Sequence, residues 1–438
     1  MFETKKTTEG KDSKENALLV LVKIKSKKDA INIEEEIEEL KNLAISAGAN
    51  IEGYIIHKQS EPTPKYFLST GKLEEIKNLV DESQIDLIVF DEDLTSAQQS
   101  NLQDKLNTKV IDRTALILDI FSQRARSREG KLQVELAQLN YILPRLRGKR
   151  TQLSRLGGGI GTRGPGEQKL EVDRRKIRKR ISQLEEKLNQ VSIQRDTQRK
   201  NREESNVFLI SLIGYTNSGK STLLNSITES DAIVKDMLFS TLDSTTRKMH
   251  IPETEEILMT DTVGFIEKLP HQLVASFKST LEEVKKADLL LLVVDCSNPN
   301  YSNHIKSVMS VLKEIEVLNK QILLVFNKID KLENKQLKTL SIKYKNVSFI
   351  SALYKIGLED LYLKIIKIRE KQLMKITVRI PYNESKLISF IYNNCKIVEK
   401  KYLEDSIIML LIIDPKYCSQ FAEFIFKDKK IESEIKST

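Results

Sequence analysis

Apolar residues come in short runs broken by charged stretches, and the period of the pattern changes along the chain. Ala17 to Ile24 is a run of β-forming residues. It is followed by an acidic stretch, Ile33 to Ala47, that predicts a helix, and by a second strand from Ile51 to His57. Lys72 to Val80 reads as helical again, and Ile85 to Phe90 and Lys109 to Asp112 read as strands. Strands alternating with helices predict a small α/β unit with a mainly parallel sheet.

From Glu129 to Leu146 the pattern is different. Leu132, Leu136, Leu139, Leu143 and Leu146 recur at spacings of four and three, and Leu170, Ile177, Ile181, Leu184, Leu188 and Val191 form a second such stripe. Each is the seam of a helix packed on a partner. The segment between them, Gly157-Gly158-Gly159-Ile160-Gly161-Thr162-Arg163-Gly164-Pro165-Gly166, is too rich in glycine and proline for either helix. The expectation is an antiparallel helical hairpin with a glycine-rich tip.

Beyond Val207 strands and helices alternate regularly. Val207–Ile213, Glu256–Thr260, Asp288–Asp295, Gln321–Asn327 and Val347–Ser351 read as strands, and Ser221–Ile227, Gln272–Lys286, Asn303–Leu318 and Gly357–Lys371 as helices. This is the doubly wound nucleotide-binding order, in which loops at strand C-terminal ends form the site. Apolar runs at Ile376–Ile380 and Ile407–Ile413 and a closing helix, Lys416–Phe426, predict a last small α/β module. The α/β chain therefore divides into a polar leader (1–16), an N-terminal α/β domain (17–128), a helical hairpin (129–205), a doubly wound domain (206–373) and a C-terminal module (374–438). A chain of 438 residues has room for about three domains of roughly 100–200 residues each.

Charge sharpens this picture. Of the net charge of +9, the hairpin holds more than its share: Tyr141 to Arg202 carries 18 Lys and Arg against 6 Asp and Glu. The run Arg174-Arg175-Lys176-Ile177-Arg178-Lys179-Arg180 has a single sign, which suits a projecting arm that reaches phosphates. A solvated helix face is the other reading of the same run. No stretch reaches the ~18–20 uninterrupted apolar residues of a membrane span, and Met1 to Lys14 lacks the apolar core of a secretory signal. A cytoplasmic monomer with no membrane insertion is expected. Cys296, Cys395 and Cys418 have no metal-ligand spacing, and His57, His250, His271 and His304 lie far apart, so neither a disulfide framework nor a metal site is built from them.

The candidate chemistry follows the strands. Gly214-Tyr215-Thr216-Asn217-Ser218-Gly219-Lys220-Ser221 leaves one strand and opens a helix, the setting of a phosphate-binding loop. Lys220 is placed to reach the β- and γ-phosphates, and the Ser221 hydroxyl to bind Mg²⁺. In Asp261-Thr262-Val263-Gly264 the carboxylate can hold Mg²⁺ through water while the Gly264 N–H senses the γ-phosphate. In Asn327-Lys328-Ile329-Asp330 the Asp330 carboxylate can accept the N1–H and exocyclic amine of guanine, a pair that adenine lacks. Ser351-Ala352-Leu353 can set a backbone N–H against the guanine carbonyl. Four such segments in this order predict a GTP- and GDP-binding site whose lead catalytic groups within them are Lys220 and Gly264.

With these motifs the chain resembles the HflX family of translation-associated GTPases. Phe239-Ser240-Thr241-Leu242-Asp243-Ser244-Thr245-Thr246-Arg247 is similar to that family's first switch, and the match implies that residues 239–243 contact GTP and that Thr241 binds Mg²⁺, with Thr245 or Thr246 as competing choices. Ser244 stands where the family usually has proline. The resemblance extends through Tyr66-Phe67-Leu68-Ser69-Thr70-Gly71-Lys72 and Gln138-Leu139-Asn140-Tyr141 to Gly164-Pro165-Gly166-Glu167, covering about residues 17 to 372. It implies binding to the large ribosomal subunit and its RNA, with the arm near the peptidyl-transferase region, and in some members splitting of stalled ribosomes. Many related GTPases orient the attacking water with Gln where this chain has Phe265, so slow intrinsic hydrolysis is expected, with a bound partner or another group supplying the missing positioning. Asn217 takes the place of a K⁺ ligand in cation-activated relatives, which makes K⁺ a candidate cofactor beside Mg²⁺. The spacing of Gly159-Ile160-Gly161-Thr162-Arg163-Gly164 fits a dinucleotide motif, but no strand precedes it. Two other readings stay open: an ATP-driven RNA remodelling factor acting through the arm, and a GTPase regulator unconnected with the ribosome.

Overall fold

The computed structural model describes residues 14–24, 33–146, 165–203, 207–228, 238–239, 241–249, 257–266, 268 and 283–425. Residues 1–13 of the polar leader, residues 147–164 around the tip of the hairpin, Ser240, His250 and His271 lie outside the described residues.

The first sheet is parallel, with the order β2-β1-β3-β4 for β1 (Asn16–Ile24), β2 (Asn50–Gln59), β3 (Leu87–Phe90) and β4 (Lys109–Asp112). Helices α1 (Ile33–Ser46), α2 (Thr70–Glu82), α3 (Ser96–Leu106) and α4 (Arg113–Arg124) accompany it. The uninterrupted apolar run of β1 has a direct cause. Ala17, Leu19 and Leu21 enter one core with Leu40, Leu43 and Ile117, while Leu18, Val20 and Val22 enter the other with Leu73, Leu102 and Phe90. A strand buried on both faces alternates between two cores, not between core and water. Helices α3 and α4 carry little apolar periodicity and are started by caps: Gln98 N–H donates to Thr95 Oγ1, and Ala115 N–H to Asp112.

Helix α5 (Arg128–Arg145) packs against both α4 and α6 (Pro165–Glu203). The leucine stripe expected to be its packed seam is only partly so. Leu136 is buried, but Leu132, Leu139 and Leu143 are half-buried, and the deeply buried residues include Gln133, Val134, Ala137 and Tyr141. Two partners on different sides demand a wider stripe than a coiled-coil seam. Arg180 of α6 forms a two-point ion pair with Glu135 of α5, at 2.7 and 2.8 Å.

The second sheet has the order β10-β9-β8-β5-β7-β6, built from β5 (Phe208–Gly214), β6 (Thr245–Met249), β7 (Ile257–Asp261), β8 (Leu289–Asp295), β9 (Gln321–Asn327) and β10 (Ser348–Phe349). Only the pairing of β6 with β7 is antiparallel. Its helices are α7 (Lys220–Thr228), α8 (Tyr301–Glu314), α9 (Asn334–Lys343) and α10 (Leu358–Gln372). Of the helix expected over 272–286, residues 283–286 are helical and 272–282 lie outside the described residues. Strand β10 is shorter than expected: Ile350 N–H still donates to the Phe326 carbonyl of β9 at 2.8 Å, but its own carbonyl turns to the Ile329 N–H at 3.3 Å, beyond the end of β9.

A third, antiparallel sheet, order β11-β13-β12, contains β11 (Met374–Pro381), β12 (Lys396–Tyr402) and β13 (Ser406–Ile413), with α11 (Ser385–Asn394) packed beside it. The α-helix expected over 416–426 is instead a 3₁₀ stretch, Pro415–Phe421. Tyr417 and Phe421 are both buried on the sheet, and the chain returns at once to β11, where Arg379 N–H donates to the Phe424 carbonyl at 2.9 Å. That return leaves no length for further helical turns.

Candidate active site

Strand β5 is central in its sheet, and the strand order reverses beside it, so the loop from β5 to α7 sits in the crevice at the carboxyl edge. Gly219 has φ +92°, and a Cβ there would run into the Asn327 amide, so glycine is required on both counts. Asn217 also takes a left-handed conformation, φ +58°, which asparagine tolerates.

Lys220, the first residue of α7, is buried. Its ammonium donates to the carbonyls of Tyr215 at 2.8 Å and Gly214 at 3.2 Å, inside the arc of the loop. Burial pushes its pKa down to about 8, Lys328 acts in the same direction and Asp261 opposes it. Beside it the Ser221 hydroxyl lies 2.7 Å from Thr241 Oγ1 and donates to Asp261 Oδ2 at 2.6 Å. Asp261 is buried, and its Oδ1 has no hydrogen-bond partner. Burial raises its pKa, against Lys220, Ser221 and Thr241, which pull it down. Two hydroxyls and a carboxylate with a spare buried oxygen are the hard donors a divalent cation takes. Thr245 and Thr246 belong to β6 instead, where Thr246 Oγ1 pairs with Thr260 Oγ1 at 2.9 Å.

Asn327 ties two loops together. Its amide donates to the Ser218 carbonyl at 2.9 Å, and its Oδ1 accepts the Ala352 N–H at 2.9 Å. Lys328 reaches the Asn217 carbonyl at 2.8 Å and Asp295 at 2.7 Å. Asp330 accepts from Ser351 Oγ at 2.5 Å, which fixes the carboxylate at the end of the crevice.

These loops enclose a cavity of about 300 Å³ lined by Thr216, Asn217, Gly219, Lys220, Ser221, Phe239, Thr241, Thr262, Gly264, Asn327, Lys328, Asp330 and Leu353 among others. Not every residue expected there faces it. The Tyr215 ring points the other way, stacked on His304 with centroids 3.9 Å apart and hydrogen-bonded to Glu39. Leu242 is buried in the N-terminal core, and the Asp243 carboxylate sits on the first turn of α5. Gly214, Ser218, Asp261, Val263, Ile329, Ser351 and Ala352 are not among the residues that line the cavity.

The sequence profile of a family described as "50S ribosome-binding GTPase" matches residues 209–328, and profiles described as "GTP-binding GTPase N-terminal" and "GTP-binding GTPase Middle Region" match 34–122 and 124–202. A protein named GTPase HflX from Caldanaerobacter subterraneus subsp. tengcongensis is 47% identical over 394 residues, 90% of each chain. Its namesake from Escherichia coli is 41% identical over 396 residues, 90% of this chain and 92% of that one. The chain belongs to the HflX family of GTPases. It is accordingly a GTP hydrolase that binds guanine nucleotides.

Around the HflX cavity the structure adds residues with no motif of their own. Lys268 follows the Gly264 loop and reaches across to the N-terminal unit, meeting Asp91 at 2.5 Å and Glu92 at 3.0 Å just after β3 and Glu36 of α1 at 3.4 Å. Arg113 pairs with Asp91 at 2.6 Å and with Glu39. Three of the nucleotide loops thus have an anchor on the N-terminal unit: Tyr215 on Glu39, Asp243 on Ser127 and Lys268 on Asp91. The acidic first turn of α1 was a visible signal, but its cationic partners were not. Among the described residues no helix is long and apolar enough to cross a membrane, and no group of three or more His, Cys, Asp or Glu is placed to hold a metal ion. Cys296 is buried and bonded to the Asn327 carbonyl at 2.9 Å.

Proposed function

We propose that GTP is bound and hydrolysed in the cavity between the Gly214–Ser221 loop and Asp330, and that the GTP-bound protein associates with the large ribosomal subunit through its basic arm, leaving on hydrolysis. The observation that carries the site is the meeting of Ser221, Thr241 and Asp261 within 2.7 Å beside the buried Lys220. Ser221 and Thr241 would hold Mg²⁺ directly and Asp261 through water. The ion supplies neutralisation of charge on the β- and γ-phosphate oxygens. Lys220 exchanges its two carbonyl partners for phosphate oxygens, Gly264 presents its N–H to the γ-phosphate, and Asp330 accepts the two guanine donors. Phe265 leaves the attacking water without a side-chain partner at that position, so hydrolysis by the protein alone is slow.

The ribosomal part is supported by the charge excess of 12 between Tyr141 and Arg202 and by the family description that matches residues 209–328. A stack of cationic side chains on a long helix meets an RNA phosphate surface with a steep salt dependence. Sedimentation with isolated large subunits in a non-hydrolysable GTP analogue and in GDP, across a salt series, tests this. Retention in the analogue that falls with salt, and release in GDP, is the expected result. Equal sedimentation in both nucleotides contradicts it. For the base, Asp330→Asn removes the acceptor for the guanine donors and should weaken GTP and GDP by on the order of 100-fold, whereas unchanged affinity would remove Asp330 from the site.

A further inference from the structure

We propose that Asp243 is a positioning residue for GTP hydrolysis, holding Thr241 against Ser221 by fastening its loop to the first turn of helix α5. The proposal rests on the reading that Thr241 acts on bound GTP. Asp243 Oδ2 accepts the backbone N–H of Ser127 at 2.7 Å and that of Arg126 at 3.0 Å, and its Oδ1 accepts the Ser127 hydroxyl. Ser127 is the N-cap of α5 and itself accepts the Gly130 N–H at 2.8 Å. A carboxylate at this place faces the positive end of the helix that begins the basic arm.

The fit is close enough to exclude a methyl group. A Cβ built on Gly130 would overlap the Asp243 carboxylate, so glycine stands in a helix, where it is otherwise unfavourable, because the carboxylate occupies the space. On the other side of Thr241 the loop is pinned as well. Phe239 is buried with its ring edge-on to Phe121, centroids 4.7 Å apart, and Leu238 N–H donates to Ser46 Oγ at 3.3 Å. Leu242 is buried in the same core. Thr241 is therefore suspended between two anchors on the N-terminal unit, and Asp243, two residues away, is the charged one. A displacement there passes to Thr241 undamped, because two residues of chain have no slack to absorb it.

The test uses the full-length chain, with single-turnover hydrolysis at saturating GTP, affinity for a fluorescent GDP, and thermal unfolding. Asp243→Asn should slow hydrolysis by roughly 10- to 100-fold, the size of a small misplacement at a reacting centre, while GDP affinity is retained because GDP has no γ-phosphate for the Thr241 loop to close over. Gly130→Ala should do the same even though alanine is the better helix former. In an Asp243→Ala background the added methyl meets no carboxylate and only Ser127 Oγ, at 3.1 Å, so Gly130→Ala should then have little further effect. A wild-type rate in Asp243→Asn together with an impaired Thr241→Ala overturns the proposal alone. A wild-type rate in Thr241→Ala overturns the reading of Thr241 and the proposal with it. Parallel loss of GDP affinity and hydrolysis in Asp243→Asn also overturns the proposal, since it marks a purely structural anchor. Should Asp243→Asn fail to fold, Gly130→Ala carries the same decision.

Discussion

Phe265 closes onto the phosphate-binding loop through its backbone: its N–H donates to the Gly214 carbonyl at 3.0 Å, and its carbonyl accepts the Thr216 N–H at 2.7 Å. The ring turns the other way, into the apolar cluster of Ile213, Leu290, Leu292 and Val308, with 3% of the residue exposed. The backbone here serves the site while the side chain serves the core. Phe265→Gln, which supplies the residue many related GTPases use, is therefore predicted not to accelerate hydrolysis. It should cost about 3 kcal/mol of stability, because an amide replaces a ring in a packed apolar cluster. Intrinsic turnover and thermal unfolding of the variant check this, and a faster enzyme would show that the side chain swings into the site.

Lys220 provides a pH prediction. In the nucleotide-free protein burial brings its pKa down to about 8, and phosphate oxygens raise it on binding, so binding takes up a proton above that pH. GDP affinity should be constant below pH 8 and weaken as the pH rises through it, by up to about tenfold per pH unit. Titration of GDP affinity between mildly acidic and alkaline pH measures this. Lys220→Ala should bind weakly with no such dependence.

The contact between the N-terminal unit and the nucleotide loops predicts acid sensitivity. Burial pushes the Asp91 carboxyl upward, but Arg113 and Lys268 outweigh it and hold it below the ordinary carboxylate range. Its contribution is thus fully present above the ordinary pKa of about 4 and is lost as pH falls through the depressed value. Asp91→Asn should remove about 3 kcal/mol at neutral pH, as expected when one partner leaves a buried ion pair, and the variant should lose less than the wild type on acidification. Denaturant unfolding at neutral and acid pH reads both effects.

The parts of the site that were legible in the sequence share one property: each lies within a few residues of a strand end. Lys220, Ser221, Asp261, Asn327 and Asp330 all lie at or just after the end of a strand, so a local pattern is enough to place them. Lys268 and Asp91 are 177 residues apart, and Asp243 and Ser127 are 116 apart. Such pairs exist only after two units have packed, and no local period announces them. Strands β6 and β12 were unreadable for a different reason. Thr245-Thr246-Arg247-Lys248-Met249 and Lys396 to Tyr402 are mostly exposed edge strands, and charge on an edge strand erases the apolar alternation by which a strand is recognised. Thr241 could be separated from Thr245 and Thr246 only once β6 was seen to hold the latter two.

If the ribosome completes a weak intrinsic GTPase, GTP hydrolysis by the purified chain alone and with isolated large ribosomal subunits, at fixed salt, will show it. Slow turnover alone and stimulation by the subunit of at least about 10-fold is the expected result, within the range that a supplied transition-state group provides. Turnover that is the same with and without the subunit would leave the GTPase in place and contradict the ribosomal partner.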